Sequence, residues 1–383
     1  MNIKIIQSEQ YIEAINLSEY AFQYKVSKER IEELKERMHQ HHIVYGINEE
    51  EKLASKLHLL PHHIYLQGSK WKMGGIAGVA TYPEYRRSGH VKALVLHSLK
   101  EMREKGMTIS MLHPFSVPFY RTYGWELFTN RLMATLKKSD LKRIGNTAGS
   151  IKRFTTEEEH PDLTEVYNTY ASQFSGMLIR EAYWWKTVVK DMNIAVYYDK
   201  AKSPKGYLLY TVKDSKMDVE EFIALDAEAR TGLWNFICQH DSMVEEVSLT
   251  THEREPLFFA LDEPRVKAEV KPYFMVRIVD VEAFIANYEW DHTNLSEPLT
   301  IHVTDSFAEW NNQSFLFNKK GVKSPKPNKE GVTLTIQSLA ALCFGYKSPA
   351  ELNACGLLDA TDEQLNQLEQ LIPQSTPYFY DFF

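Results

Sequence analysis

Residues 74–125 read GGIAGVATYPEYRRSGHVKALVLHSLKEMREKGMTISMLHPFSVPFYRTYGW, and the rest of the chain is organised around them. Ile76, Val79 and Thr81 are β-branched among small neighbours, which predicts a strand. Tyr82-Pro83-Glu84-Tyr85 predicts a turn. After Arg86-Arg87-Ser88-Gly89-His90, the apolar residues Val91, Leu94, Val95, Leu99 and Met102 recur at helical spacing. Gly106 follows, where a helix end wants a residue that tolerates a left-handed conformation. Strand, basic Gly-containing turn and helix start make an anion site. The free backbone N–H groups of the first helical turn point at the ligand, and the helix dipole favours negative charge there. Arg86 and Arg87 add full charges beside those donors.

Neither GxxxxGK[ST] nor GxGxxG is present, so the anion is not held in a P-loop or a dinucleotide fingerprint. Arg86-x-x-Gly89 resembles the Q/R-x-x-G-x-G/A signature of the GNAT acetyltransferases, which holds the pyrophosphate of acetyl-coenzyme A. Val91 stands where that signature has Gly or Ala. A second apolar strand over residues 107–112 leads through Pro114 and Pro118 to Phe119-Tyr120-Arg121-Thr122-Tyr123-Gly124-Trp125. That phrase resembles the GNAT motif FY-x-x-[YF]-G-[WYF], which supplies a tyrosine beside the cofactor sulfur. The two motifs stand in the family's order and spacing.

A chain of 383 residues suggests two or three domains. Its 44% apolar and 25% charged content is that of a globular protein with cores to bury. With 51 acidic against 44 basic residues the net charge is -7, which leaves no basic footprint for a nucleic-acid partner. A mildly acidic surface suits cationic substrates and serves solubility equally. Cys238, Cys343 and Cys355 are an odd number in apolar contexts, so a reducing compartment is expected rather than a disulfide framework. Met1-Asn2-Ile3-Lys4 opens no signal peptide and no apolar run approaches transmembrane length. The expected location is the cytoplasm, with no membrane partner.

Upstream of the central stretch, the pattern predicts a strand over residues 3–6, a helix bearing Ile12, Ala14, Ile15 and Leu17, and an aromatic continuation through Phe22 and Tyr24. A charged helix over 28–38 and a hairpin of 43–47 with 53–59 follow. The order β-α-α-β-β-β-α-β-α agrees with the GNAT topology. His39, His41, His42, His58, His62 and His63 lack Cys or carboxylate companions at ligand spacing. They are expected on the surface or at a pocket rim, with no metal.

Ile144-Gly145-Asn146-Thr147-Ala148-Gly149-Ser150 reads as a linker, and beyond it the chain starts again. Helices over 163–173 and 180–190, a hairpin of 194–198 with 204–213, a strand over 219–225, a helix over 227–240 and a strand over 246–250 repeat the first order. Where the first unit has Arg86-x-x-Gly89, the second has Asp226-Ala227-Glu228. Like charges repel, so no coenzyme is expected there. The third part has a strand over 275–281, a helix over 281–288, and strands over 299–305, 314–318 and 332–335. An exposed turn over 323–328 and helices over 338–344 and 362–371 complete a small α+β module. The expected fold is α/β (α+β): a GNAT unit over 1–145, a GNAT-like unit over 146–272, and a module over 273–383.

Five of the last six residues, Tyr378 to Phe383, are aromatic. Water would be costly for so much apolar surface, so the tail is expected to dock. It then either completes a core or an oligomer contact, or delivers a terminal carboxylate to a chosen place.

Two GNAT-like units, one with a coenzyme signature, a sterol-carrier-like module and an aromatic-acidic tail together resemble the enhanced-intracellular-survival (Eis) family of bacterial N-acetyltransferases. The resemblance implies acetyl-coenzyme A as cofactor and a primary amine of a small cationic molecule, aminoglycoside-, polyamine- or lysine-like, as acceptor. It implies that Ala77, Gly78, Val79, Ala80 and Thr81 hold the acetyl and pantetheine groups. Arg86, Arg87, Ser88, Gly89, His90 and Val91 are implied at the pyrophosphate. Tyr120 is implied as general acid and the Phe383 carboxylate as general base, with Phe22 and Tyr24 on the substrate side and a homohexamer as the assembly. Protein or peptide acetylation, and lipid or small-molecule binding with a vestigial GNAT unit, are the alternatives.

The chemistry needs these roles. A lysine-type amine has a pKa of about 10.4 and must lose a proton before it attacks a thioester. A terminal carboxylate, at roughly 3.5, becomes a useful base when desolvated. A tyrosine, at about 10, can donate to a thiolate, and strand N–H groups can polarise a carbonyl.

Overall fold

Apolar runs joined by two-residue turns build the first sheet. In the computed structural model, which describes residues 1–155, 160–293, 295, 297–323 and 330–383, the chain opens with β1 (Ile3–Ile5), α1 (Tyr11–Phe22) and α2 (Lys28–His41). It continues through β2 (Ile43–Glu49), β3 (Lys52–Leu66), β4 (Ser69–Thr81), α3 (His90–Glu104), β5 (Ile109–Leu112), α4 (Val117–Arg121) and β6 (Glu126–Leu127). Up to α4 this is the expected order. The β2–β3 turn falls on Glu50 and Glu51 (φ 49° and 66°) and the β3–β4 turn on Gln67 and Gly68 (φ 53° and 72°). Two consecutive positive φ values give the turn whose twist matches the flanking strands.

The second unit repeats this plan. It contains β7 (Asn130–Lys137), β8 (Ser150–Phe154), α5 (Pro161–Ala171), α6 (Ala182–Val189), β9 (Asn193–Tyr198), β10 (Pro204–Lys213), β11 (Lys216–Ala224), α7 (Ala227–Cys238), β12 (Glu246–Thr251) and β13 (Lys267–Pro272). Then come β14 (Met275–Ile278), β15 (Leu299–Thr304), β16 (Gln313–Asn318), β17 (Gly321–Lys323) and β18 (Val332–Thr335). The turn expected over 323–328 lies outside the described residues beyond Lys323.

The first sheet runs β1-β2-β3-β4-β5-β14-β6 and the second, read from β8, runs β8-β9-β10-β11-β12-β7-β13. The two orders correspond strand for strand, with one exchange. β7 lies between the first unit's own elements and the linker, yet it pairs antiparallel with β12 of the second sheet. β14 was expected to open the third module, yet it pairs antiparallel with β5 of the first. Each sheet therefore takes its sixth strand from beyond the expected boundary. The physical reason is edge closure: without that strand, the parallel β4–β5 or β11–β12 pair would end in an open apolar edge.

The third module is a four-stranded sheet, β17-β16-β15-β18, under helices Ile336–Cys343, Pro349–Ala354 and Asp362–Leu371. Its core is continuous with the first sheet: Trp71, Ile109, Phe274, Phe284, Leu339 and Phe344 belong to one buried cluster. Arg277 of β14 is fully buried, ion-paired to Asp305 of this module, and donates to the Tyr123 carbonyl. Its guanidinium lies where a side chain on Gly124 (φ 91°) would have to go. That glycine is thus required twice over, for space and for conformation.

Candidate active site

The site begins where β4 leaves β5. Parallel pairing joins only Met73–Gly75 to Ile109–Met111. Past Gly75, β4 keeps β3 on one side and, among the described residues, has no ladder partner on the other. Opposite Gly78 (φ 54°) the β3 register shifts, between Lys56 and His58. A splayed strand pair with a bulge turns backbone groups between Ala77 and Thr81 toward a ligand, although the Gly78 carbonyl accepts from Lys56 Nζ at 3.0 Å and that of Thr81 from Arg86 Nε at 3.4 Å.

The chain then turns through Arg87 (φ 65°) and Gly89 (φ 82°) into α3. Gly89 is the N-cap, no side chain caps the helix, and its first turn contains no acid. A left-handed cap with free N–H groups is an anion cradle. A cavity of about 630 Å³ opens here, bounded by Val79, Thr81, Arg86, Arg87, Gly89 and Val91. Ala80, His90, Phe22, Phe115, Phe119 and Tyr123 also face it. Arg86 and Arg87 are solvent-exposed, so their charges cost little to hold there. The His90 ring is turned inward, 2.9 Å from Ser55 Oγ and 3.2 Å from Glu49 Oε1, so only its backbone serves the cradle. Ser88 is not among the lining residues. The donor set, the free helix start and the splayed strand fit a pyrophosphate with a long thiol arm.

Tyr120 lies on α4, started by Ser116 Oγ accepting from the Phe119 N–H at 3.4 Å. Its ring is buried among Phe115, Phe119 and Trp125. Burial pushes its hydroxyl up to about 12. Tyr120 lines neither of the two cavities at this end of β4; its neighbours Phe115 and Phe119 reach the first.

A second cavity, about 400 Å³, adjoins the splay on the side of Ala77 and Gly78. Phe22 lines both cavities; Tyr24, Phe382 and Phe383 line the second. The tail reaches it under restraint. Tyr378, Phe379 and Tyr380 are buried, and the Tyr378 N–H donates to the Ser175 carbonyl at 3.2 Å. Asp381 accepts from Arg180 Nε at 2.9 Å and Trp184 Nε1 at 2.7 Å. Arg180 also pairs with Glu221, and both its partners are buried with it. Tyr273 donates to the Asp381 carbonyl at 2.8 Å, and Arg131 to that of Tyr380. The Phe383 ring lies so close to Gly75 that a Cβ there would come within 2.7 Å of it. Phe274, at 5.1 Å between ring centroids, and His62, at 5.6 Å, pack on the same ring.

In the second unit the corresponding places are filled. Asp226 caps α7, accepting from the Ala229 N–H at 2.8 Å. Glu228 accepts from Tyr197 Oη at 2.7 Å and from the N–H groups of Ala148 and Gly149 at 3.0 and 3.2 Å. β11 leaves β12 after Val219. Past that point Tyr380 Oη meets both backbone groups of Phe222, at 3.4 Å to its N–H and 3.2 Å to its carbonyl.

Several functional candidates escaped the sequence reading: Lys56, His58, Arg37, Trp184 and Arg180. The histidines were expected at a surface or rim, and His39 is exposed. His42 and His58 line the second cavity, as the pocket-rim expectation allowed, but His58 is buried and His42 half-buried in its wall, with their Nδ1 atoms 3.0 Å apart. Alternation along β3, which puts Lys56, His58 and His62 on one face, is the signal that could have grouped them.

Models of known families match in three consecutive blocks. Residues 2–128 match an acetyltransferase (GNAT) domain, 176–278 a second acetyltransferase (GNAT) domain, and 281–380 a sterol carrier protein domain. The N-acetyltransferase Eis of Mycobacterium tuberculosis is 26% identical over 206 residues, covering 50% of this chain and 51% of that protein. The chain thus spans about half the length of the curated Eis relatives it matches. A probable N-acyltransferase from Enterococcus faecalis superposes with a TM-score of 0.93 at 27% identity, over 100% of this chain and 99% of that one. Eis1 from Mycobacterium abscessus shares the fold, with a TM-score of 0.84 at 18% identity over 100% of both chains. With tandem GNAT domains ahead of a sterol-carrier-like module, this chain is an Eis-like member of the GNAT family.

Proposed function

We propose that the protein is an acetyl-coenzyme A-dependent N-acetyltransferase acting on a primary amine of a small molecule. The observation that carries this is the acid-free, uncapped start of α3 beside two arginines and a splayed β4. Its twin in the second unit is closed by carboxylates. When bound, the coenzyme supplies an acetyl thioester. Arg86, Arg87 and the N–H groups from Gly89 to Val91 hold the diphosphate charge. The open backbone of Ala77 to Thr81 orients the arm. Phe22 lines both cavities and gives their junction an apolar wall.

In this reading the base is the main-chain carboxylate of Phe383, a residue that lines the second cavity and whose ring packs on Phe274 and Trp184. It takes the proton from the arriving ammonium group. Burial holds the Tyr120 hydroxyl near 12, so it keeps its proton through neutral pH, and the resemblance of Phe119 to Trp125 to the GNAT motif makes it our candidate donor to the leaving sulfur. The acceptor classes implied by the Eis resemblance are aminoglycoside-, polyamine- and lysine-like amines, with Phe22 and Tyr24 on the acceptor side. The resemblance extends to a cytoplasmic homohexamer, which light scattering tests. No helix among the described residues is long and apolar enough to cross a membrane.

The test is calorimetry with coenzyme A, followed by a free-thiol assay over a panel of amines with acetyl-coenzyme A. One coenzyme per chain, bound more weakly by Arg86→Glu, and thiol release with at least one amine are expected. Absence of coenzyme binding, or binding indifferent to Arg86→Glu, refutes the reading.

A further inference from the structure

We propose that the acetyl acceptor is a primary amine that also carries a carboxylate, an amino-acid-like zwitterion whose acid group is met by Arg37 and Arg30. The proposal deepens the acetyltransferase reading, which it uses only to place the amine. The acid-binding end stands on the cavity itself.

The second cavity is lined by three cationic side chains, Arg30, Arg37 and Lys56, and by no Asp or Glu side chain among the described residues. Arg37 sits on α2 with its Nε buried and without a hydrogen-bond partner. Burial is also the leading cause that lowers its affinity for a proton. Glu33, one turn earlier on the same helix, is engaged by Lys190 Nζ at 3.1 and 3.2 Å. Lys56 is fully buried, and its partners are His58 Nε2 at 2.8 Å and the Gly78 carbonyl at 3.0 Å, neither of them an acid. Desolvation brings it down to about 7 and holds His42 down near 3, so the histidines bring no compensating charge of either sign at neutral pH.

The half-buried Arg37, its Nε without a hydrogen-bond partner and Glu33 its nearest acid, carries a cost that a carboxylate removes, with two parallel hydrogen bonds and a full opposite charge. A polycation would face the opposite: every positive group beyond the reacting amine would meet Arg30, Arg37 or Lys56, with no acid among the lining residues to offset them. The Phe383 carboxylate accounts for one amine and no more. Between the two charged ends Phe22, Leu34, Leu60 and Trp184 offer an apolar middle for a hydrocarbon or aromatic stem. Of the three acceptor classes implied by the family resemblance, only the lysine-like one carries an acid.

Matched pairs that differ by a single carboxylate test this: lysine against cadaverine, tyrosine against tyramine, and 6-aminohexanoate against pentylamine. Binding is read by calorimetry on the coenzyme A-loaded protein, and turnover by thiol release. The carboxylate-bearing member is expected to bind about tenfold tighter in at least one pair, and Arg37→Gln to erase that preference by weakening the carboxylate-bearing member. Arg37→Lys is expected to restore part of it. Preference for the decarboxylated member, equal affinity within every pair, or binding of neither member of any pair overturns the proposal. A carboxylate preference in calorimetry without thiol release would instead uphold this site and refute the acetyltransferase reading.

Discussion

The turn before α3 and the turn before α7 occupy the same position in two sheets of matching strand order, and they have opposite chemistry. The first ends in Gly89, leaves the helix uncapped and sets two arginines beside it. The second ends in Asp226, which caps the helix, while Glu228 gathers three further donors, including two from the linker. Downstream of the point where the sheets splay, β4 faces a cavity, whereas β11 meets the hydroxyl of Tyr380. An anion cradle is thus closed by its own chain as readily as by a ligand. The second unit spends its cleft on holding the tail, and the tail ends at the first unit's second cavity.

The largest expected effect comes from breaking that hold. Arg180→Met leaves Asp381 and Glu221 buried without their cation, a change that costs about 3–5 kcal/mol for such pairs. Denaturant unfolding should show a loss of this size, and turnover should fall with it, since Asp381 stands two residues before Phe383. A stability change below about 1 kcal/mol would mean that the tail is held elsewhere.

Next in size is displacement of the tail's end. A few residues added after Phe383 keep every side chain and move the carboxylate. The turnover number should fall on the order of a hundredfold with coenzyme affinity nearly unchanged, and Tyr120→Phe should behave alike. An extended protein with unaltered turnover would reduce the tail to packing.

Arg86→Glu makes the first turn resemble the second. It places an acid beside the free helix start, and the coenzyme dissociation constant should rise by roughly tenfold or more in calorimetry, with one site per chain throughout. Two sites per chain would show that the second cradle is not closed.

The smallest effect is expected from Asp226→Ala, which opens the α7 cap. It should cost about 1 kcal/mol of stability and leave coenzyme binding untouched.

What could be read without a structure was local. Arg86-x-x-Gly89 and Phe119 to Trp125 carry their chemistry in contiguous residues, and Asp226 and Glu228 announce a different turn by sign of charge alone. The hairpins and helices of both units follow apolar periodicity, which is set by the chain's own neighbours. Strand partnership is not: β7 and β14 read as ordinary strands, and only the edges they cover decide which sheet they join. The acceptor cavity was hidden for the same reason. Arg37 on α2, Lys56 on β3, Trp184 on α6 and Phe383 meet across four distant segments, and no spacing records that meeting. Phe22 and Tyr24 do line it.

The exchanged strands have a consequence for the order of events during synthesis. The first sheet lacks the strand beside β5 until residues 275–278 have left the ribosome, when most of the chain already exists. The second sheet already has β7 waiting, but cannot use it until β12 arrives. Contacts of such sequence separation close late, after their loop entropy has been met. Both sheets are therefore completed close together, once residues 246–278 have been made, and a ribosome that stalls before β14 releases a chain whose first unit still exposes the flank of β5.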